Sequence, residues 1–357
     1  MKEFLASVFR EAKEWARLIA HSFIRRILPM AAFVAVGFIV AHTHKNIPTF
    51  STLPTPSDKP ITVLAGGDVN MGRQSGQKIL AGDINYPFTH IADTLKSGDI
   101  TFVNLESQLA DLHGETQSPT NEYRFAGPPQ AAQSLKNAGV DVVSVANNHM
   151  WDYGKDALFS TLDSLTSAGV AYTGASEDQT QKDVPYIITV RGKKIAFFAM
   201  TTLLNGYENS GATDFVSYDT QADIERQIAA LKDQVDWIFV SIHTGIEYQN
   251  KPTVAMVKLS HDLIDAGADA ILGGHPHVPQ PIEIYNSKPI FYSLGNFAFW
   301  QPFSFWTQHS YLAQLTLSAP HRVSYQTIPV NAGWQPSLLT DKTAIAQLNE
   351  LLGNISN

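Results

Sequence analysis

Hydrophobic and polar residues follow two different periods along most of this chain. From Ile61 onward, short apolar runs alternate with longer segments in which apolar residues recur at helical spacing. Buried strands that alternate with amphipathic helices are typical of an α/β fold, in which helices cover the faces of a sheet. We therefore predict one α/β domain over residues 61–357, with a strand-rich C-terminal half.

The expected elements can be placed individually. The predicted strands are Ile61–Ala65, Ile100–Leu105, Val140–Val145, Ile187–Val190, Lys194–Met200, Trp237–Ile242, Ala270–Leu272, Ile282–Tyr285 and Pro289–Tyr292, with two more around Tyr311–Leu317 and Arg322–Val330. The predicted helices are Gln74–Leu80, Ile91–Lys96, Pro129–Asn137, Lys155–Ala168, Ala222–Lys232, Val254–Ala266 and Thr343–Leu352.

The N-terminal part has a different pattern, an unbroken apolar run from Ile27 to Ala41. As a helix this run rises about 22 Å, and flanking residues as far as Thr43 extend it towards the roughly 30 Å of a bilayer core. Arg25 and Arg26 precede it and can reach the membrane surface. We favour an uncleaved, single-pass transmembrane anchor over residues 27–43.

Two alternatives to an anchor remain open. A cleaved signal peptide has a run of similar length, although Ile39, two residues before Ala41, fits poorly with the small residues of a cleavage site. A buried core helix is the other alternative.

Because the excess of Lys and Arg precedes the run, residues 1–26 should be cytoplasmic and the main domain extracytoplasmic. Residues 44–60 are rich in Pro, Ser and Thr and predict an extended tether.

Composition narrows the possible chemistry. The 357 residues are 44% hydrophobic and include no cysteine, which excludes disulfides, thiolate metal sites and a cysteine nucleophile. Residues 1–45 hold seven Lys/Arg and three acids, so 18 basic and 30 acidic residues remain, a net charge of −12. This net negative charge on the residues after position 45 argues against nucleic acid as a partner.

Polar side chains follow six of the predicted strands. They are Asp68, Glu106, Asn148 with His149 and Asp152, His243, the His275–His277 pair in GGHPHVPQ, and Asn296. In an open α/β sheet, ligands bind outside the carboxyl ends of the strands. Each residue alone has a structural explanation as a cap, turn former or core histidine, but their joint occurrence predicts one shared site. Without cysteine, such a site suits Mn, Fe, Zn or Mg.

The motifs that carry these residues resemble those of a known family. They are GGDVNMGR (66–73), NLESQL (104–109), NNHMWDYG (147–154), HTGIEYQ (243–249), GGHPHVPQPIE (273–283) and YSLGNF (292–297). Together they resemble the CapA family of poly-γ-glutamate capsule biosynthesis proteins over residues 61–300. The resemblance implies a membrane-anchored protein that works with capsule synthetase and export subunits in the membrane.

CapA proteins are in turn similar to calcineurin-like metallophosphoesterases. That similarity implies a four-layer α/β/β/α sandwich with one or two divalent metal ions on its rim. The implied metal ligands are Asp68, Glu106, Asn148, His243, His275 and His277, and the implied catalytic residues are His149 and Asp152.

The chain departs from these patterns at three positions. Asn70 replaces the histidine of the metallophosphoesterase Asp-x-His motif, Glu106 stands where an aspartate bridges the metals, and Thr244 replaces a tryptophan that is usual in CapA proteins. The first two bear on how many metal ions are held, and the third bears on the substrate cleft.

Three residues are candidates for substrate binding. Arg73 and Arg124 suit an anionic group because the guanidinium fork matches phosphate and carboxylate, although a surface ion pair is an equal alternative for each. Asn296 is the third. Three functions remain open: a membrane-anchored, metal-dependent hydrolase or transferase acting on a phosphoester or an amide of an anionic polymer, a non-catalytic subunit for polymer binding and export, and a generic extracytoplasmic phosphodiesterase.

Overall fold

Period-two alternation sorts the side chains of the central strands onto two faces. In the computed structural model, which describes residues 59–353, Ile100 and Phe102 point to one side of their strand and Val103 and Leu105 to the other. All four are buried because both faces of this strand are covered.

The strands and helices have the following bounds. The strands are β1 Ile61–Val69, β2 Ile100–Leu105, β3 Gln108–Leu109, β4 Ala126–Gly127, β5 Val142–Ser144, β6 Ala171–Thr173, β7 Tyr186–Val190, β8 Lys193–Thr201, β9 Trp237–His243, β10 Ala270–Gly274, β11 Ile282–Tyr285, β12 Lys288–Phe291, β13 His309–Ala319, β14 Arg322–Asn331 and β15 Ser337–Leu338. The helices are α1 Arg73–Leu80, α2 Ala92–Leu95, α3 Ala131–Ala138, α4 Gly154–Ala168, α5 Ala212–Phe215, α6 Gln221–Leu231, α7 Val254–Ala266, α8 Phe305–Gln308 and α9 Lys342–Leu352.

Two large sheets form the centre of the described chain. The first, sheet I, has seven strands in the order β15-β14-β13-β1-β2-β5-β6. The second, sheet II, has six strands in the order β11-β12-β10-β9-β8-β7. The strands β1, β2, β5 and β6 run parallel, as do β8, β9, β10 and β12, so their carboxyl ends collect at one edge of each sheet.

Three apolar clusters place these elements in four layers. Between the sheets, Phe102 of β2 stacks on Phe197 of β8 with ring centroids 5.6 Å apart. Helices α1 to α4 cover the outer face of sheet I, and α6 and α7 cover the outer face of sheet II. The order is therefore helix, sheet, sheet, helix, and the predicted α/β fold is confirmed.

The predicted elements agree with the structure apart from their ends. β5 is shorter than the predicted strand Val140–Val145 because only its centre pairs with neighbours. β1 is longer than predicted: it continues through Gly66 and Gly67 to Val69, with a shift in register between Ala65 and Asp68. Glycine has no side chain and tolerates such an irregularity.

The predicted anchor, residues 27–43, and the basic segment 1–26 lie outside the described residues. Between residues 59 and 353, no helix has the length and apolarity needed to cross a bilayer. Most of the predicted tether, residues 44–60, also precedes the part that the structure describes.

Candidate metal centre

Five predicted ligands arrive at one place from both sheets. Asp68 lies near the end of β1, and Glu106 directly follows β2 in sheet I. His243 is the last residue of β9, and His275 and His277 follow β10 in sheet II. All five side chains are buried. The sequence separates them by more than 200 residues, and the fold brings them together because the carboxyl ends of these strands meet.

The ligand atoms fall into two groups that share one carboxylate. Asp68, Glu106 and His277 have ligand atoms within 4.8 Å of one another. Glu106, His243 and His275 meet the same criterion. Mixed imidazole and carboxylate sets of this kind suit divalent transition metals. Glu106 therefore has the position that a ligand bridging two ions would need.

Glu106 is the clearest sign that the protein alone does not complete this site. Its side chain is fully buried, and neither carboxylate oxygen has a hydrogen-bond partner. Its Oε1 lies 3.6 Å from His243 Nε2 and 3.7 Å from His277 Nε2. Burial, followed by the negative charge of Asp68, raises the pKa of Glu106 well above its usual range. A bound cation would reverse this shift and satisfy both oxygens.

Two of the histidines are held in the neutral form that binds metals. Burial, followed by the nearby His277, lowers the pKa of His275 to about 3. Burial, followed by His275, lowers the pKa of His243 well below its usual range. The Nδ1 atom of His275 is buried and has no hydrogen-bond partner. Both rings therefore offer lone pairs at neutral pH without first losing a proton.

Asp68 is held as a charged carboxylate. Its burial opposes ionisation, but a hydrogen bond with His277 and the neighbouring imidazoles outweigh this and bring its pKa to about 2. Its Oδ1 accepts a bond from Asn104 Nδ2 at 2.8 Å, and its Oδ2 accepts one from the His275 N–H at 3.2 Å. These bonds fix the carboxylate and tie β1 to the loop after β10.

The loop that carries the histidine pair is strained. His275 has φ +94° and His277 has φ +59°, a left-handed region that costs non-glycine residues about 1–3 kcal/mol each. Gly274 precedes them because a Cβ there would lie 2.7 Å from Asp68 Oδ1. Strain of this kind persists where the surrounding structure determines the geometry, as it does at many functional sites.

Asn148 also reaches the centre. Its Oδ1 lies 2.8 Å from His243 Nε2, and its Nδ2 donates to Asn205 Oδ1 at 3.0 Å. The side-chain oxygen therefore points to the group that contains Glu106, His243 and His275. An amide oxygen in this position is a suitable further ligand for a cation held by that group.

His149 and Asp152 form a dyad beside the shared carboxylate. His149 Nδ1 lies 2.9 Å from Asp152 Oδ2, which also accepts a bond from the Phe125 N–H at 3.3 Å. His149 Nε2 is thereby directed to the centre and lies 3.9 Å from Glu106 Oε1. Asp152 orients the ring, and His149 is the member of the dyad that can act on a substrate.

The two arginines lie near the dyad. Arg124 donates to the carbonyl oxygen of Asp152 and lies over the Tyr153 ring at 4.9 Å. It lines a cavity next to His149. Arg73 donates to the Glu122 carbonyl oxygen at 3.0 Å, and its guanidinium lies 4.8 Å from the centroid of the Phe125 ring.

Asn296, a predicted substrate-binding residue, contacts the ligand His277. It is fully buried, and its Oδ1 lies 3.0 Å from His277 Nδ1. Its Nδ2 donates both hydrogens, to Gln301 Oε1 and to the Thr307 carbonyl oxygen, each at 3.1 Å. These contacts occupy its amide and orient His277, and binding of a substrate by Asn296 stays a prediction.

Some residues of the site were not predicted. Asn104 Nδ2 lies 3.2 Å from His243 Nδ1 in addition to its bond with Asp68, so it orients ligands of both groups. Its position near the end of β2 could have identified Asn104 as a residue of the site. Phe125 and Phe299 cover the histidines, with ring centroids 4.4 Å from His149 and 5.1 Å from His277. No local pattern distinguishes them from ordinary loop aromatics.

The residue that departs from the metallophosphoesterase motif has its side-chain oxygen bound to the backbone. Asn70 Oδ1 accepts a bond from the Gly72 N–H at 2.8 Å, and its Nδ2 is buried without a partner. The histidine and carboxylate ligands around Asp68 are Asp68 itself, Glu106 and His277. The unsatisfied oxygens of Glu106 and the free Nδ1 of His275 nevertheless fit a divalent cation.

Fold and site together define a four-layer α/β protein with a buried histidine–carboxylate cluster at the meeting edge of its sheets. Comparison with known proteins agrees with the sequence motifs: residues 62–301 match the family described as bacterial capsule synthesis protein PGA_cap. The chain belongs to this family.

Named relatives support the assignment. The chain is 30% identical to the capsule biosynthesis protein CapA of Bacillus anthracis over 87% of this chain and 76% of that protein. It is 29% identical to the PGA biosynthesis protein CapA of Bacillus subtilis, over 83% and 80%. Among solved structures it is similar to an NAD nucleotidase of Haemophilus influenzae, with a TM-score of 0.46, 14% identity and coverage of 83% and 64%. No activity follows from a likeness this distant.

Proposed function

We propose that this protein is a membrane-anchored capsule biosynthesis protein that uses a metal centre to hydrolyse or transfer a phosphoester or amide group of an anionic polymer. Membership of the capsule synthesis family supports the biological role. The observation that carries the chemistry is Glu106, a buried carboxylate without partners that is common to two ligand groups. The apolar run at residues 27–41 supports an anchor over residues 27–43, and the excess of Lys and Arg before it supports an extracytoplasmic location of the main domain.

The ligands fit one or two divalent ions such as Mn, Fe, Zn or Mg. Asp68 and His277 would hold one ion and His243, His275 and Asn148 the other, with Glu106 between them. A bound divalent ion would supply Lewis-acid activation of water and of the anionic oxygens of the substrate.

The residues of the chain supply the remaining steps. His149 presents Nε2 to the centre and delivers a proton there to the departing oxygen or nitrogen, while Asp152 holds its Nδ1 and stabilises the charged ring. Arg124 lines the cavity beside His149 and offers donors to an anionic group. Burial of the ligands keeps bulk water away from the charges and strengthens their interactions.

The decisive experiment compares the purified full-length protein with the His275→Ala and Asp68→Asn variants. Bound metal is measured by elemental analysis, and phosphomonoesters, phosphodiesters and poly-γ-glutamate are assayed with added Mn²⁺. We expect the wild type to bind metal and turn over at least one of these substrates, and both variants to lose metal and activity.

Capsule formation in cells that carry each variant provides an independent readout. A metal-free wild type whose support of capsule formation survives both substitutions would contradict the proposal. Loss of metal and capsule together, without hydrolysis of any ester or of the polymer, would point to transfer or to a role in assembly.

A further inference from the structure

An exposed pair of aromatic rings stands next to the metal centre. Tyr248 is 38% exposed and Phe303 is 65% exposed, and their rings meet edge to face with centroids 5.8 Å apart. We call these two residues the aromatic wall. The Tyr248 ring lies 6.0 Å from the ring of His277, a predicted metal ligand. Large aromatic surfaces left in contact with water beside a site are typical of surfaces that bind ligands.

The backbone fixes this wall relative to the ligands. Tyr248 has φ +63°, a left-handed conformation that is strained for a residue with a side chain. Its N–H donates to the carbonyl oxygen of Pro276 at 2.8 Å, and Pro276 lies between His275 and His277. Tyr248 therefore cannot move independently of the histidine loop without breaking this bond, and Phe303 packs against its ring.

A cavity lies beside His149, and Glu247, the residue before Tyr248, is part of its lining. Its volume is about 350 Å³, at the lower end of the range for small-molecule sites. Besides His149, its lining includes Arg124, Tyr207 and Glu247, which together present both charges and an aromatic ring. We call this space the His149 cavity. The group that His149 protonates would leave into it.

The wall and the cavity flank the centre at different histidines. Phe125 contacts the ring of His149, and Phe299 contacts the ring of His277. The two phenylalanine rings contact each other at 5.7 Å. Both histidines direct Nε2 to Glu106 Oε1, at 3.9 Å for His149 and 3.7 Å for His277, so the cavity beside His149 and the aromatic wall beside His277 are both next to the shared carboxylate.

We propose that the centre binds a two-armed substrate, an anionic group with an organic substituent on each side, such as a diester or an internal linkage of a chain. The leaving arm occupies the His149 cavity, and the retained arm packs a flat or apolar face on Tyr248 and Phe303. This inference rests on the proposed metal-dependent function. It adds that the site acts within a chain or on a diester rather than on a terminal monoester.

The test uses two non-hydrolysable anions of equal charge. Diphenylphosphinate has two flat arms, and methyl(phenyl)phosphinate has one. Binding of each to the Mn²⁺-loaded full-length protein is measured by calorimetry. We expect the wild type to bind the two-armed anion about tenfold more tightly, the size of one aromatic packing contact. Tyr248→Ala and Phe303→Ala should each lose most of this preference and still bind the one-armed anion.

Two control variants test whether the preference for the two-armed anion depends on the rings of the aromatic wall in particular. Tyr248→Phe keeps the ring and should keep the preference. Phe305→Ala removes an equally exposed ring that stacks on His309, away from the wall, and should also keep the preference. Melting temperature and bound manganese are recorded for every variant, so a variant that fails to fold is recognised.

Equal affinity of the wild type for both anions would overturn the inference. So would equal weakening of both anions by Tyr248→Ala and Phe303→Ala, or failure of the wild type to bind either anion. The proposed function is tested separately. A protein that shows the preference but turns over no substrate overturns the proposed reaction alone, and one that turns over substrates without the preference overturns the two-armed site alone.

Discussion

Glu106→Gln should make the metal-free protein more stable and remove its response to metal. In the native chain, the Glu106 carboxylate is fully buried, lacks hydrogen bonds and lies near the charged Asp68. Burial of such a group without partners costs about 1–3 kcal/mol. An amide has no charge to desolvate and can donate to Asp68, so most of this cost should be recovered.

Glu106→Gln should also lose the stabilisation that bound metal gives to the wild type. For the wild type, free Mn²⁺ at 100 times its Kd adds about 2.7 kcal/mol to the free energy of unfolding. With an unfolding entropy of about 2.1 cal/mol/K per residue, each kcal/mol shifts the melting temperature of a domain of about 300 residues by roughly 1.5–2 °C. We therefore expect a rise of about 4–5 °C for the wild type in Mn²⁺ relative to EDTA, and little or none for Glu106→Gln.

The assay is thermal unfolding of the full-length protein in EDTA and in Mn²⁺. Asp269→Asn is a matched control because Asp269 is also a buried carboxylate, but one that is paired with Lys288 and His321 and accepts a bond from the Ile238 N–H at 2.9 Å. It should destabilise the protein in both buffers and leave the shift with Mn²⁺ intact. If Glu106→Gln melts below the wild type in EDTA, or keeps the full shift with Mn²⁺, the reasoning about Glu106 is wrong.

Three further predictions concern residues with separate roles. His149→Gln should keep bound metal but reduce turnover about 10²–10⁴-fold, because it removes the proton donor while the ligands remain; elemental analysis with steady-state kinetics tests this, and loss of metal would contradict it. Gly274→Ala should weaken metal binding at least tenfold, because its Cβ would lie 2.7 Å from Asp68 Oδ1; unchanged affinity in a metal titration would show that the loop can move. Asp99→Asn should lower the free energy of unfolding by roughly 1 kcal/mol at pH 7. Burial opposes ionisation of Asp99, but a hydrogen bond from Arg191 Nη1 at 2.9 Å outweighs it and lowers the pKa of the carboxylate. The difference from the wild type should therefore be present above about pH 4 and disappear as the pH falls through the lowered pKa; denaturant titrations at several pH values test this, and a difference that grows at low pH would refute it.

Much of the architecture could be predicted because burial imposes a regular period. The strand Ile100–Leu105 was placed correctly because both of its faces are buried, which leaves a continuous apolar run. The short strand β6, residues 171–173, was missed because two partly buried residues followed by one buried residue make no distinguishable pattern. The end of β1 was placed too early because Gly66 and Gly67 look like a turn, whereas here they belong to an irregular strand.

The sequence predicted which residues gather at the site, but it predicted less well what each side chain contacts there. Strand-end positions were enough to select Asp68, Glu106 and His243, because parallel strands deliver their ends to one edge. They did not predict the contact of the Asn296 amide with His277, although Asn296 also follows a strand. Which atoms a strand-end side chain reaches depends on contacts with distant segments, and local spacing contains no record of them.

The position of bound manganese tests the central claim most directly. Crystals of the protein grown with Mn²⁺ would be measured at the manganese absorption edge, where anomalous scattering locates each ion. We expect at least one ion within bonding distance of a Glu106 oxygen, about 2.0–2.3 Å, together with ligand atoms of Asp68 and His277 or of His243 and His275. Ordered manganese elsewhere in the crystal, with none beside Glu106, would contradict the assignment of this cluster as a metal centre.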